Sequence, residues 1–272
     1  MIGQADMLPD KLDLYRLAVQ HPLAEVAFVE YVWDCTHDEG TEPMLLREDF
    51  AGICAVAAAW VASDPDRQAM AIELDEPTAT WAAERFEDPD LHIVPADVME
   101  VTEPSVEVTL ALNFSVLIYH RAEDLLRYLK HAKDGLLPGG LMILDVFGGP
   151  GVGEPSMDRR RIEPDEGGFE PFTYCWEQCG LDTESGLIEC RIHFELDDGR
   201  RLPDAFVYDW RLWSPAEIID LALQAGFISA EFWWSDPGEP GRHKPVQEVP
   251  GDQDWVGYVV CQAPAEGPRS SL

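Results

Sequence analysis

Basic residues are scarce in this chain: lysine and arginine number 19 against 52 aspartates and glutamates, a formal net charge of −33. A surface of that sign repels phosphate backbones and acidic membranes, so neither a nucleic acid nor a membrane is an expected partner. The one compact basic run, Arg159, Arg160 and Arg161 in "MDRRRIEP", lies in a Gly/Pro/Glu-rich segment and reads as a solvated loop. No apolar run approaches the length of a membrane span, and the N-terminus lacks a basic region followed by an apolar one. The six cysteines, at positions 35, 54, 175, 179, 190 and 261, include no CxxC pair, which leaves no metal or redox spacing and favours reduced thiols. The expectation is a soluble, cytoplasmic, acidic protein. Solubility or salt adaptation accounts for its charge better than any charge-specific function does.

Glycine is missing where a nucleotide-binding turn should hold it. The stretch "LLREDFAGICAVAAAWVA" has the outline of a strand, a turn and a small-residue helix, yet its turn contains only Gly52. Nothing resembles a phosphate loop with its lysine, and no glycine fingerprint for a nicotinamide cofactor is present.

What is there is alternation. After two helices between Lys11 and Cys35, broken at His21-Pro22, strand-like runs "MLL", "AMAIEL", "LHIVPA", "VEVTLALNF" and "LMILDVF" alternate with helical ones. That order predicts an α/β fold, with parallel strands and helices on both faces of the sheet. "LLPGG" reads as a helix-terminating turn. The Gly/Pro-rich segment after Gly148 reads as a lid or loop. Three β-like runs follow, around Phe172–Leu181, Leu187–Leu196 and Ala205–Trp213, and predict an antiparallel meander. "SPAEIIDLALQAGF" is a helix capped by Ser214 and ended by Gly226, ahead of two last strands around Ile228–Trp234 and Trp255–Gln262. The expected divisions are an N-terminal helical cap over 1–43, an α/β core over 44–150 and an inserted β lobe over 151–213. Core-completing elements over 214–264 and a disordered tail over 265–272 follow.

Four strand ends in the alternating region carry polar residues: Glu48-Asp49, Glu73 with Asp75, Asp97, and Asn113. In an open α/β sheet such ends line one crevice. Glu73 falls 25 positions after Glu48, near the roughly 20-residue spacing at which a carboxylate grips ribose hydroxyls. Asp97 can accept from an adenine amino group, although Asp75 and Asp97 both also read as caps. Asp145, a polar residue in an apolar strand, needs a partner and either faces the site or ties down a neighbouring loop.

The ordered series resembles a class I S-adenosylmethionine-dependent methyltransferase. The opening stretch is similar to a bacterial subgroup whose first motif reads "LREDF-small-GT"; here Phe50 and Cys54 stand where glycines are usual and Ile53 where threonine is common. The resemblance implies a Rossmann-like seven-stranded sheet, S-adenosyl-L-methionine as cofactor, and contacts from Glu48, Phe50, Ala51, Gly52, Glu73, Leu74, Asp97, Val98, Asn113 and Phe114. It implies in-line methyl transfer to a small molecule of unknown identity. A non-catalytic binder of the same cofactor, and a nicotinamide-dependent oxidoreductase, are the alternatives, and a homodimer is left open. Candidate substrate contacts are Tyr119, His120, Tyr174, Trp176 and Arg211, the lobe being rich in aromatic residues. No catalytic residue is assigned: His120 and His193 are nominal bases without a motif.

Overall fold

The computed structural model describes residues 8–164, 168–236, 239–249 and 251–265. Helices α1 (Lys11–Ala18) and α2 (Pro22–Thr36) come first, separated at His21 because Pro22 opens the second. Strands and helices then alternate: β1 (Leu45–Asp49), α3 (Ala55–Ser63), β2 (Gln68–Glu73), α4 (Glu76–Ala83), β3 (Leu91–Pro95), β4 (Val106–Ala111), α5 (Ala122–Asp134) and β5 (Leu136–Gly148). Four further strands, β6 (Ser156–Ile162), β7 (Phe172–Asp182), β8 (Leu187–Leu196) and β9 (Arg201–Arg211), precede α6 (Pro215–Ala225). The last strands are β10 (Ser229–Asp236), β11 (Glu239–Val246) and β12 (Trp255–Gln262). The chain divides into two units, one of Met1–Gln20 with Pro150–Leu212, the other of His21–Gly149 with Trp213–Leu272.

The larger unit is built on one sheet, in the order β11-β10-β12-β5-β4-β1-β2-β3. Strands β1 to β5 are parallel; β12 runs antiparallel between β5 and β10. The centre reads as apolar sequence because helices cover both faces, leaving Ile143, Leu144, Leu110 and Ile72 wholly buried. Seven strands are expected and eight are found. The eighth, β11, is "EPGRHKPV", which reads as a Pro/Gly-rich loop; as an edge strand it tolerates proline, since one side of its backbone needs no partner. "LLPGG" is the start of β5 rather than a turn before it. Helix α6 keeps the expected boundaries: Ser214 and Glu217 form a reciprocal capping box, and Gly226 ends the helix at φ 104°.

Strand order reverses between β1 and β4, which lie side by side, and the crevice of an open α/β sheet forms at such a point. On β1, successive side chains point to opposite faces. Glu48 therefore faces one helical layer and Arg47 and Asp49 the other.

The smaller unit is an antiparallel sheet, β6-β7-β8-β9. Strand β6 lies in the segment expected to be a loop: "SMDRRRI" has no apolar alternation, yet it pairs along its length with β7 as an edge strand. Helix α1 joins this unit through Tyr15, whose ring lies 4.9 Å from that of Phe206, and through Lys11 Nζ, which donates to the Ala205 carbonyl at 3.1 Å. The expected cap over 1–43 is thus divided, α2 belonging to the larger unit. One face of the sheet carries Tyr174, Trp176, Tyr208 and Trp210, with Tyr208 and Trp210 stacked at 4.4 Å. The other carries His193, held between Glu177 Oε2 at 3.1 Å and the backbone N–H of Asp204 at 2.8 Å. Nearly all of the expected tail lies outside the described residues.

Candidate functional site

The strand ends at the switch point are bent by an unusual run of left-handed backbone. Phe50, Gly52 and Cys54 after β1 have φ of 54°, 52° and 58°; Asn113 and Phe114 after β4 have φ of 58° and 59°. A residue with a Cβ costs roughly 1–2 kcal/mol in that conformation, and such strain gathers where a site needs an aimed backbone. Each bend is held by a carboxylate from the neighbouring strand. Glu73, ending β2, accepts from the Gly52 N–H through Oε2 and from the Asp75 N–H through Oε1, both at 2.7 Å. Asp145, on β5, accepts from the N–H groups of Asn113 at 3.0 Å and Phe114 at 2.7 Å. Asp145 therefore ties down the loop after β4. Burial pushes its carboxyl up to about 7 against the pull of those two N–H donors.

Gly52 is the point of open space in the first bend. A Cβ built on it meets no atom within 4 Å, and its φ of 52° disfavours a side chain. Phe50 packs sideways, its ring 5.3 Å from Tyr128 and 6.3 Å from Tyr119. Ala51 and Ile53 are buried, and the Ala51 N–H is spent on the Ile72 carbonyl at 2.9 Å. Within this bend Ala51, Ile53 and Cys54 are buried, while Phe50 and Gly52 are half-buried.

The two faces of β1 differ. Glu48, 2% exposed, accepts from the Ala57 N–H in the first turn of α3 at 2.8 Å. Burial raises its carboxyl to about 8, partly offset by Ala57 and reinforced by Glu25 and Glu73. It organises the helix start from below. Arg47 and Asp49, 1% and 0% exposed, form an ion pair at 2.6 Å on the opposite face. Asp49 also accepts from the Tyr128 hydroxyl at 2.9 Å, and burial still sets its carboxyl above the ordinary value. Arg47 donates to the carbonyls of Val98 at 2.9 Å and Val101 at 2.7 Å. Sequence reading passed over Arg47. The available signal was three consecutive charges in an interior strand, each of which needs a partner.

After β3, Asp97 caps a single-turn 3-10 helix, Val98–Glu100, by accepting from the Met99 N–H at 2.8 Å. Its carboxylate is exposed, whereas the Val98 side chain is buried. Asp75 caps α4 through Thr78 and stands exposed beyond Glu73. Leu74, between them in sequence, is 72% exposed, unusual for a leucine beside a strand end. Tyr119 and His120 fall between a short 3-10 helix, Ser115–Ile118, and α5. Tyr119 stacks on Tyr128 at 5.3 Å, and its carbonyl accepts from Trp213 Nε1 at 2.9 Å. In the smaller unit, Tyr174 and Trp176 share the aromatic face, but Arg211 lies on the opposite one. That trio is therefore not brought together: strand parity separates Arg211 from the two rings.

The chemistry offered by the strand ends is that of an acidic, partly apolar crevice. A carboxylate has about four lone-pair positions, so Glu73 retains acceptor capacity after its two backbone donors. The open side of Gly52, the exposed Leu74 and the exposed Asp97 carboxylate follow the ends of β1, β2 and β3 in turn. The acidic side chains at these strand ends disfavour a phosphate.

No protein-family model matches the chain, and no curated protein does. Solved structures match it along nearly its whole length. The DesVI protein of Streptomyces venezuelae aligns with a TM-score of 0.71 at 17% identity, covering 97% of this chain and 100% of that one. A sugar N-methyltransferase of Streptoalloteichus aligns at 0.68 and 18% identity, covering 95% of both chains. An amino pentose methyltransferase of Micromonospora echinaspora, solved with S-adenosylmethionine bound, aligns at 0.67 and 14% identity, over 94% of this chain and 97% of that one. At these identities the likeness is one of fold: the chain has the mixed α/β architecture of the S-adenosylmethionine-dependent methyltransferases, with an added edge strand.

Proposed function

We propose that the protein is an S-adenosylmethionine-dependent methyltransferase acting on a small molecule. The observation that carries the reading is the pair of bends at the switch point, with Glu73 fixed beside the open face of Gly52. When bound, the cofactor supplies a methyl group already activated by the positive charge of its sulfur. The chain's own work is then to bind, orient and exclude water. Glu73, preset by two backbone donors, accepts the ribose hydroxyls in a fork. Leu74 covers the base, Asp97 accepts from its amino group, and the loop at Asn113 and Phe114 borders the reacting end.

The first acceptor to try is an amine on a sugar-like molecule. Two of the solved neighbours are named for a sugar N-methyltransferase and an amino pentose methyltransferase. The rings of Tyr174 and Trp176 are the kind of surface on which a sugar's apolar face packs. Tyr119 and His120, between the 3-10 turn Ser115–Ile118 and α5, are further candidate contacts.

Calorimetric titration with S-adenosylmethionine and S-adenosylhomocysteine tests the assignment: binding in the micromolar range is expected, and no heat at millimolar ligand sinks it. Replacing Glu73 by alanine is expected to weaken binding at least 100-fold, the order of ~3 kcal/mol for losing charge-assisted hydrogen bonds. Near-native circular dichroism in that variant would show that the fold survives.

A further inference from the structure

We propose that Arg47 and Asp49 are positioning residues that hold two crevice loops in place from behind the sheet, in the role that a glycine-rich turn leaves to the backbone alone. The inference rests on the methyltransferase reading above, and concerns residues that do not touch the crevice.

The geometry is a buried relay with two arms. In one, the Arg47 guanidinium reaches across the bottom of β1 to the carbonyls of Val98 and Val101, the two residues that bracket the turn capped by Asp97. A three-residue 3-10 turn has almost no hydrogen bonding of its own, so its place is set by outside anchors. His131 Nε2, from α5, supplies a second donor to the Val101 carbonyl at 2.9 Å. The other arm runs from Asp49 to the Tyr128 hydroxyl, and Tyr128 stacks against Tyr119 and lies against Phe50. Both arms start on one strand and end at the segments that carry Asp97, Phe50 and Tyr119.

The ion pair makes the arms interdependent. Arg47 gives Nε to Asp49 at 2.6 Å and its two terminal nitrogens to the two carbonyls, so each nitrogen of the planar fork has a partner. Lysine carries the charge but has neither the reach in three directions nor the plane. Removal of Asp49 would leave the guanidinium free to turn, and removal of Arg47 would leave a buried carboxylate held only by a tyrosine.

The test uses the intact protein and S-adenosylhomocysteine as probe, in Arg47→Lys and Tyr128→Phe. A control, Gly226→Ala, loses stability at a helix end far along the chain through its φ of 104°. Arg47→Lys is expected to weaken calorimetric binding at least tenfold and to raise amide hydrogen exchange at Met99–Val101, while the control binds like wild type. Tyr128→Phe, which deletes one hydroxyl and keeps the packing, is expected to weaken binding about threefold and to loosen exchange around Tyr119. Binding within twofold of wild type in both variants, or equal weakening in the control, overturns the proposal. If Arg47→Lys is too unstable to titrate, Tyr128→Phe decides by the same criterion. Failure of the wild type to bind the probe would instead overturn the methyltransferase reading, so the two failures are distinct.

Discussion

On one strand, three adjacent charges are handled in two different ways. Arg47 and Asp49 are buried as a mutually compensated pair whose remaining valences go to carbonyls and a tyrosine. Glu48, between them, is buried on the other face, where its carboxyl accepts from the Ala57 N–H in the first turn of α3. The compensated face fixes position through its partners; on the uncompensated face burial raises the Glu48 carboxyl to about 8. Opposite sides of β1 should therefore respond to different perturbations, one to loss of a partner, the other to pH.

Breaking the compensated side is the larger effect. Arg47→Met keeps much of the volume but strands Asp49 in the interior, and removal of one partner from a buried pair costs about 3–5 kcal/mol. Urea denaturation should show the loss. A double variant, Arg47→Met with Asp49→Leu, should recover most of it while leaving the turn after β3 unanchored, because an apolar pair of similar volume is tolerated where a lone charge is not.

The uncompensated side predicts a slope. The Glu48 carboxyl moves from an ordinary 4.5 to about 8 in the folded protein. The native state therefore binds its proton more tightly than the unfolded chain does. Stability contributed by the neutral form is complete below about pH 4.5 and is lost as pH rises towards 8, at a limit of about 1.4 kcal/mol per pH unit. Asp145, raised to about 7, adds a decline of the same sign. Glu48→Gln keeps an acceptor for the Ala57 N–H and cannot ionise. Melting curves from pH 5 to 8 should converge at the acid end, with the variant gaining relative to wild type as pH rises. A parallel slope in both proteins would show that Glu48 does not titrate in this range.

Much of this arrangement was legible in the sequence, and the exceptions have a common cause. The parallel core, the meander and the capped helix α6 follow from apolar periodicity and local turn chemistry, which are properties of short windows. Strands β6 and β11 escape that reading because each is an edge strand: "SMDRRRI" has no buried face of its own, and "EPGRHKPV" carries two prolines that an interior strand would reject. Helix α1 reads as the partner of α2 in one N-terminal cap, but its contacts with Phe206 and Ala205 lie almost two hundred residues away. Within the site, Glu73 and Asp145 were visible as polar residues at strand positions, whereas their backbone partners Gly52, Asn113 and Phe114 depend on which strands become neighbours. Arg47 was hidden for the same reason, since its partners at Val98 and Val101 belong to a different strand end.

The smallest expected effect separates two residues that the structure makes look alike. Asp75 and Asp97 are both exposed, and each caps a helix by accepting from an N–H two or three residues on. Alanine at either should cost about 1 kcal/mol of stability, the usual loss of a cap. They differ in what lies behind them. The turn at Asp97 is gripped by Arg47 from the compensated face of β1, while α4 beyond Asp75 is a helix of eight residues with its own hydrogen bonds. If Asp97 meets the adenine amino group, Asp97→Ala should weaken S-adenosylhomocysteine binding about tenfold, and Asp75→Ala should lower stability without that loss. Equal binding in the two variants would reduce Asp97 to a cap, and the purpose of the Arg47 anchor would then have to lie with the Val98 backbone rather than with the carboxylate it carries.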